Sequence, residues 1–127
     1  MTENHIAALV VDAALKIHKI LGPGLLESVY QATLNFELQK RGLSVAQQVA
    51  FPVQYEGIKL DLGYRVDLLV ANKVVVEIKS VEALAPVHRK QVQTYLRLMN
   101  MRLGLLLNFN VELMKYGIQR VVNRLPE

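Results

Sequence analysis

The sequence predicts an α/β fold in which a mixed β-sheet is flanked by helices. Three observations carry this reading. Apolar residues recur at helical spacing over 4–21, 25–41 and 86–100, while β-branched runs occupy 44–55, 58–70, 74–80, 103–109 and 117–122. The order is helix, helix, three strands, helix, two strands, a layered α/β pattern. With 52% hydrophobic and 20% charged residues in a 127-residue chain, one domain with an ordinary core is expected over 1–127.

The first helix is marked by Ile6, Leu9, Val10, Ala13, Ala14, Ile17, Ile20 and Leu21, and Gly22-Pro23-Gly24 ends it. His18 sits one turn before that break, where a histidine can serve the helix C-terminus. The second helix places Leu26, Tyr30, Leu34 and Leu38 on one apolar arc, with Lys40 and Arg41 suited to its C-terminus and Gly42 to the C′ position. Glu27 falls between Leu34 and Leu38 on the wheel, so it is expected to point at protein rather than at water. Its place in the first turn also suits the helix dipole.

In the first strand Val45, Val49, Phe51, Val53 and Tyr55 share parity, which predicts a half-buried strand, and Pro52 marks it as an edge or bulge. Glu56-Gly57 is a tight turn, and Gly63 is a candidate bulge. The third helix starts at Pro86 and puts Val87, Val92, Tyr95, Leu96, Leu98 and Met99 on one arc. Gln91 lies inside that arc and needs hydrogen-bond partners there. Arg89, Lys90, Gln93 and Arg97 take the opposite side. Leu103 to Phe109 reads as a buried strand, Asn108 to Leu113 as a loop or short turn, and Gly117 to Val122 as the last strand.

The chain is organised around Tyr64–Ser80. Two apolar arms, Tyr64–Val70 and Val74–Ser80, flank Ala71-Asn72-Lys73. Glu77 and Lys79 share one face of the second arm, because side chains alternate along a strand. Asp67 lies in the first arm. It faces Glu77 only if the turn is centred on Asn72, in an odd-length loop where Asn accepts the left-handed conformation. A two-residue loop would set Asp67 opposite Val76. The odd loop is the expectation. Charges in so apolar a hairpin need a reason. Both a structural ion pair of Lys79 and a functional site supply one.

Composition removes several chemistries. Cysteine is absent, which excludes disulfides, a thiolate zinc site, a cysteine nucleophile and cysteine-ligated iron–sulfur clusters. The polar start lacks a basic leader region and no apolar run could span a bilayer, so a cytoplasmic chain without a membrane partner is expected. A net charge of +4 permits a nucleic-acid partner without demanding one. The chemistry-bearing set is then Glu27, Asp67, Glu77, Lys79, Gln91 and Tyr95. Clustered carboxylates repel unless a cation neutralises them, and hard oxygen donors favour Mg2+ or Mn2+ over zinc. A metal, an oriented water and a nearby lysine are equipment for phosphodiester hydrolysis.

At this point the sequence resembles the GxxExxY group of the PD-(D/E)XK nuclease superfamily. The naming motif stands as Gly24-Leu25-Leu26-Glu27-Ser28-Val29-Tyr30, preceded by His18. The likeness continues through Asp67, Glu77-Ile78-Lys79, His88, Gln91, Tyr95, Leu107-Asn108-Phe109 and Gly117-Ile118 with Arg120. Val66 stands where the superfamily's name has proline, a position with no catalytic group. The resemblance implies a restriction-endonuclease-like αβββαβ core with an extra N-terminal helix. It also implies a nuclease dependent on Mg2+ or Mn2+, with DNA as the leading nucleic-acid substrate. In that scheme Asp67, Glu77 and the carbonyl of Ile78 hold the metal. Glu27 completes its shell, and Lys79 positions the attacking water. Gln91, Tyr95, Tyr30, His18 and His88 support the site or touch phosphate. The competing expectation is a catalytically weak nucleic-acid-binding or partner-binding module on the same fold, as a homo-oligomer or a subunit of a larger complex.

Overall fold

The computed structural model describes residues 1–126. Helices α1 (Glu3–Leu21) and α2 (Glu27–Lys40) precede strands β1 (Val45–Tyr55), β2 (Ile58–Val70) and β3 (Val74–Lys79). Helix α3 (Pro86–Met99), strand β4 (Leu103–Asn108), a 3-10 turn (Met114–Tyr116) and strand β5 (Ile118–Val122) complete the order. The five strands form one sheet in sequence order. β3 and β4 run parallel, joined through α3, and the other neighbours are antiparallel. The sheet is therefore mixed, with α1 and α2 on one face and α3 on the other.

Two cores follow from these layers. Ile6, Val10, Ala13, Ile17, Tyr30, Leu34 and Leu38 pack against Leu68, Val76, Ile78, Leu105 and Leu107. Val92, Tyr95 and Leu96 of α3 pack against Val66, Leu69, Val75 and Leu106 on the opposite face. Gly104 allows that second contact, since a Cβ there would lie 2.7 Å from Val92 Cγ1. α1 and α2 are pinned by ion pairs from Lys16 to Glu37 at 3.0 Å and from Arg41 to Asp12 at 2.9 Å, and Arg41 also pairs with Glu37 one turn before it at the end of α2.

Helix boundaries follow local chemistry. The Thr2 hydroxyl accepts from the His5 N–H at 3.1 Å, and the Gly22 N–H closes α1 on the His18 carbonyl at 2.8 Å. α2 ends with Gly42 N–H to the Gln39 carbonyl and Leu43 N–H to the Leu38 carbonyl, the pattern expected for a glycine at C′. The apolar wheels need three corrections. Ile20 and Leu26 are 69% and 75% exposed, and Leu26 precedes α2 rather than facing its core. On α3 the buried arc is narrower than the periodicity suggests, because Val87 and Leu98 are solvent-facing and Gln91 is exposed beside them.

The hairpin register is the odd one. Leu68 pairs with Val76, Leu69 with Val75 and Val70 with Val74, leaving Ala71-Asn72-Lys73 as the loop. Both Ala71 (φ 51) and Asn72 (φ 54) are left-handed, and the Lys73 N–H bonds the Val70 carbonyl at 3.0 Å. This is a primed turn with one extra residue, and it brings Asp67 opposite Glu77.

The β1–β2 ribbon holds two irregularities. Between Pro52 and Val53 the register shifts, so two β2 residues have no partner beside Gly63. A Cβ on Gly63 would fall 1.9 Å from the Phe51 carbonyl oxygen, so only glycine fits this bulge. The second lies at Gln48, which has φ 49 inside a strand. There the two strands turn over together. Val45, Leu68 and Val70 pack on the α1–α2 side, whereas Val49, Phe51, Tyr64 and Val66 pack on the α3 side. The shared parity of Val45 with Val49 and Phe51 thus does not survive the kink.

Candidate active site

Asp67 lies at the β2 position where the strands turn over, and Glu77 lies opposite it on β3. Each carboxylate is held by the other's strand. The Ile78 N–H donates to Asp67 Oδ2 at 2.8 Å, and the Asp67 N–H donates to Glu77 Oε1 at 3.0 Å. These bonds replace ladder bonds beyond the last paired residues, Leu68 and Val76. Side-chain oxygens thus occupy the place of backbone carbonyls, which fixes both carboxylates without adding a loop.

Glu77 is 4% exposed. Burial raises its pKa from 4.5 to about 8, with the neighbouring Asp67 charge adding to the effect. The Asp67 N–H and, more weakly, the Lys79 charge act in the opposite direction. A carboxyl group that is buried, hydrogen-bonded and yet reluctant to ionise is suited to a site completed by a cation. Lys79, two residues on, is half-buried, and among the described residues its ammonium makes no ion pair within 4.0 Å. The structural ion pair that could have explained the lysine is therefore not formed.

The loop between α1 and α2 is fastened to the end of β3. The Tyr30 hydroxyl donates to the Gly22 carbonyl at 2.6 Å and accepts from the Leu25 N–H at 3.2 Å. Its buried ring stacks on Phe109 with centroids 4.4 Å apart. Ser80 Oγ donates to the Leu25 carbonyl at 2.7 Å, and the Ser80 N–H donates to Glu27 Oε2 at 3.2 Å. Glu27 is exposed, which corrects the expectation of a protein-facing carboxylate, but its oxygen still reaches the strand end that follows Lys79. Among the described residues no three Asp, Glu, His or Cys groups lie close enough to share one ion. The structure brings Asp67 and Glu77 together and leaves Glu27 on Ser80.

Tyr95 is 8% exposed and belongs electrostatically to this centre. Burial raises its pKa first, and the charges of Glu77 and Asp67 add to the rise, while Gln91 opposes it. Gln91 is solvent-facing and leans on Tyr95 rather than being enclosed in the core. The two histidines have local partners. The ring Nε2 of His18 lies 2.7 Å from the Val111 carbonyl, and His88 Nδ1 accepts from the Ala85 N–H at 3.0 Å at the start of α3. Both hold loops that frame the site.

Three residues without an assigned role in the sequence reading also act here. The Asn108 amide, 2% exposed, accepts from the Val81 and Asn110 N–H groups and donates to the Val81 carbonyl, so it fixes the chain leaving Lys79 and Ser80. Its signal was a polar residue ending an apolar strand. Gln48 Nε2 donates to Gln31 Oε1 at 2.6 Å and to Asp67 Oδ1 at 3.2 Å. These two glutamines join α2 to Asp67, and nothing in the spacing of residues 31 and 48 announces it.

A model of the PD-(D/E)XK nuclease superfamily matches residues 4–121. No curated protein matches the chain. The crystal structure of SSO0001 is similar, with a TM-score of 0.59 and 17% identity, over 95% of this chain and 67% of that one. At that identity the likeness concerns the fold, a restriction-endonuclease-like α/β sheet with flanking helices. Among the described residues no helix is long and apolar enough to cross a membrane.

Proposed function

This chain belongs to the PD-(D/E)XK nuclease superfamily, and on that premise we propose that it is a divalent-metal-dependent nuclease that hydrolyses phosphodiester bonds, with DNA as the leading substrate. The observation that carries the proposal is the buried Glu77 carboxyl held against Asp67, with the Lys79 ammonium two residues away and, among the described residues, in no ion pair. The donor set fits Mg2+ or Mn2+. It offers two carboxylates and the Ile78 carbonyl, all hard oxygens, at a point where burial and mutual repulsion make a cation favourable. Glu27, on the adjoining loop, would join directly or through water. When bound, such an ion supplies charge neutralisation and Lewis-acid polarisation of a phosphoryl oxygen.

The chain's own groups would do the rest. Lys79 orients the attacking water and stabilises charge developing on the phosphate, because among the described residues its ammonium is not tied up in an ion pair. Tyr95 and Gln91 sit where a phosphate beside Glu77 would meet a hydroxyl and an amide. Tyr30, Ser80, Asn108, His18 and His88 would act by holding the loops that carry Glu27 and follow Lys79.

The test incubates the full chain with single- and double-stranded DNA and RNA in Mg2+, Mn2+ or EDTA and resolves the products. Cleavage that needs the metal is expected. The absence of a three-carboxylate cluster among the described residues favours a second reading, a weakly catalytic nucleic-acid-binding module working with a partner. Tight nucleic-acid binding with no cleavage of any substrate would establish that reading instead.

A further inference from the structure

We propose that Gln31 and Gln48 are positioning residues, a relay of two amides through which α2 holds Asp67 ready for the divalent ion. The inference deepens the nuclease reading and rests on it for the ion. It starts from a backbone conformation that no turn requires. Among the described residues six that are not glycine have positive φ. Glu56, Ala71 and Asn72 lie in hairpin turns, Asn100 caps α3, and Arg124 follows the last strand. Gln48, at φ 49, has it inside a strand. Glycine takes this conformation without a steric penalty, so a long side chain kept there points to a role for the side chain itself.

Gln48 stands across from Asp67, bracketed by the pairs Gln47–Leu68 and Val49–Val66. Its Nε2 donates to Asp67 Oδ1 at 3.2 Å and to Gln31 Oε1 at 2.6 Å, and Gln31 Nε2 donates to Gln47 Oε1 at 3.3 Å. A carboxylate only accepts, so Gln48 must turn its NH2 to Asp67, and Gln31 must then turn its oxygen to Gln48. The acid at its end sets the direction of the whole relay. Asp67 Oδ2 accepts from the Ile78 N–H at 2.8 Å. Both carboxylate oxygens are thereby fixed, and each keeps lone-pair capacity for an ion.

Gln31 comes one helical turn after Glu27, on the same face of α2. Glu27 reaches the Ser80 N–H just beyond β3, and Gln31 reaches Asp67 on β2 through Gln48. One helix face is thus strapped to both strands that carry the candidate ligands, on either side of the point where those strands part. Groups that hydrogen-bond a ligating carboxylate set its orientation, and losing one typically costs about 10- to 100-fold in metal affinity or activity. The rival role is a surface strap that adds only stability. It predicts the opposite response at Gln48, because removing a strap lowers Tm.

The experiment reads Mn2+ affinity by calorimetry, and Tm and the hydrogen exchange of the Ile78 N–H in EDTA. Gln48→Gly keeps the backbone conformation and removes the amide. It should melt no lower than wild type and bind Mn2+ about ten-fold more weakly. Gln31→Leu, which leaves Gln48 in place but unaimed, should also weaken Mn2+ binding, with no further loss when it is combined with Gln48→Gly. Gln31→Glu restores an acceptor for Gln48 and should bind Mn2+ at least as well as wild type. The Ile78 N–H should exchange faster in Gln48→Gly and Gln31→Leu but not in Gln31→Glu, since its acceptor is Asp67. Unchanged Mn2+ affinity in Gln48→Gly overturns the proposal, and so does a lowered Tm in that variant. Gln31→Glu binding as weakly as Gln31→Leu overturns it too. A wild type that binds Mn2+ but cleaves no nucleic acid refutes the nuclease reading and leaves the relay to be decided by these affinities. A wild type that binds no Mn2+ refutes both.

Discussion

Replacing Glu77 by Gln should stabilise the metal-free protein while destroying its activity. Gln is nearly isosteric and keeps an oxygen to accept the Asp67 N–H, a bond of 3.0 Å in the wild type. What it removes is a buried group that resists ionisation. The folded pKa of Glu77 is about 8 against an ordinary 4.5. Between those values the folded state binds a proton that the unfolded state has lost, so wild-type stability falls as pH rises through that window. At pH 7 the difference is 2.5 pH units, or about 3 kcal/mol. For a chain of 127 residues that corresponds to about 10 °C in Tm. The Gln variant should therefore melt about 10 °C higher at pH 7 in EDTA. The gap should close below pH 4.5 and level off above pH 8. Calorimetric melting of both proteins across pH 4 to 9 measures it, with Mn2+ added in a second series. The ion should raise the wild-type Tm most at high pH, where no proton competes, and leave the variant unmoved. A Gln variant that is less stable than wild type at pH 7 would refute the argument, since Glu77 would then be a stabilising structural charge.

Four further outcomes follow from contacts in the structure. Asp67→Ala should weaken Mn2+ binding and stop cleavage together. Lys79→Ala should retain Mn2+ binding by calorimetry and lose about 10²-fold in turnover. Tyr30→Phe removes a hydroxyl that bonds the Gly22 carbonyl and the Leu25 N–H, so denaturant titration should show a loss of about 1–3 kcal/mol, with activity falling as the Glu27 loop loosens. Glu37 has its pKa lowered first by Arg41 and then by Lys16, so its contribution is present above pH 4.5 and fades as pH falls further. Glu37→Gln should accordingly lower Tm at pH 7 and make little difference at pH 3.

The element order and the hairpin register were legible because both rest on local chemistry. Three-residue spacing around Asn72 and a two-residue alternation decide which side chains meet. The helical wheels misled at Leu26, Val87, Gln91 and Leu98 because a wheel assumes that every apolar residue faces the core. Here the chain enters α2 after Leu26, and the sheet surface under α3 is narrow enough that Val92, Tyr95 and Leu96 fill it. Glu27 was found for a partly mistaken reason. Its reach to Ser80 comes from the Tyr30 and Ser80 bonds to the preceding loop rather than from an apolar flank. The Gln48 kink was not legible at all. A non-glycine residue with positive φ inside a strand carries no propensity signal, and only coordinates reveal that two strands turn over together there.

That kink explains how a buried sheet can carry a charged centre. In a regular ladder the N–H of Asp67 would point to β1, as the Ala71 N–H does to the Ser44 carbonyl, and its side chain would stand on one face among apolar neighbours. Where the kink at Gln48 interrupts the β1 pairing and the β2–β3 pairing stops after Leu68 and Val76, the Asp67 and Ile78 N–H groups are left without ladder carbonyls. The carboxylates of Asp67 and Glu77 take those two donors. Each oxygen therefore satisfies a backbone group that would otherwise be orphaned, and leaving such groups unpaired costs more than a typical bond contributes. The acids are thus held by the same requirement that holds the sheet. Their remaining oxygens and the ammonium of Lys79 are left for chemistry. A one-residue slip in the Ala71–Lys73 loop would break both bonds at once and send Glu77 to the face covered by α1 and α2. Strand register and the geometry of the Asp67–Glu77 pair are in this fold the same variable.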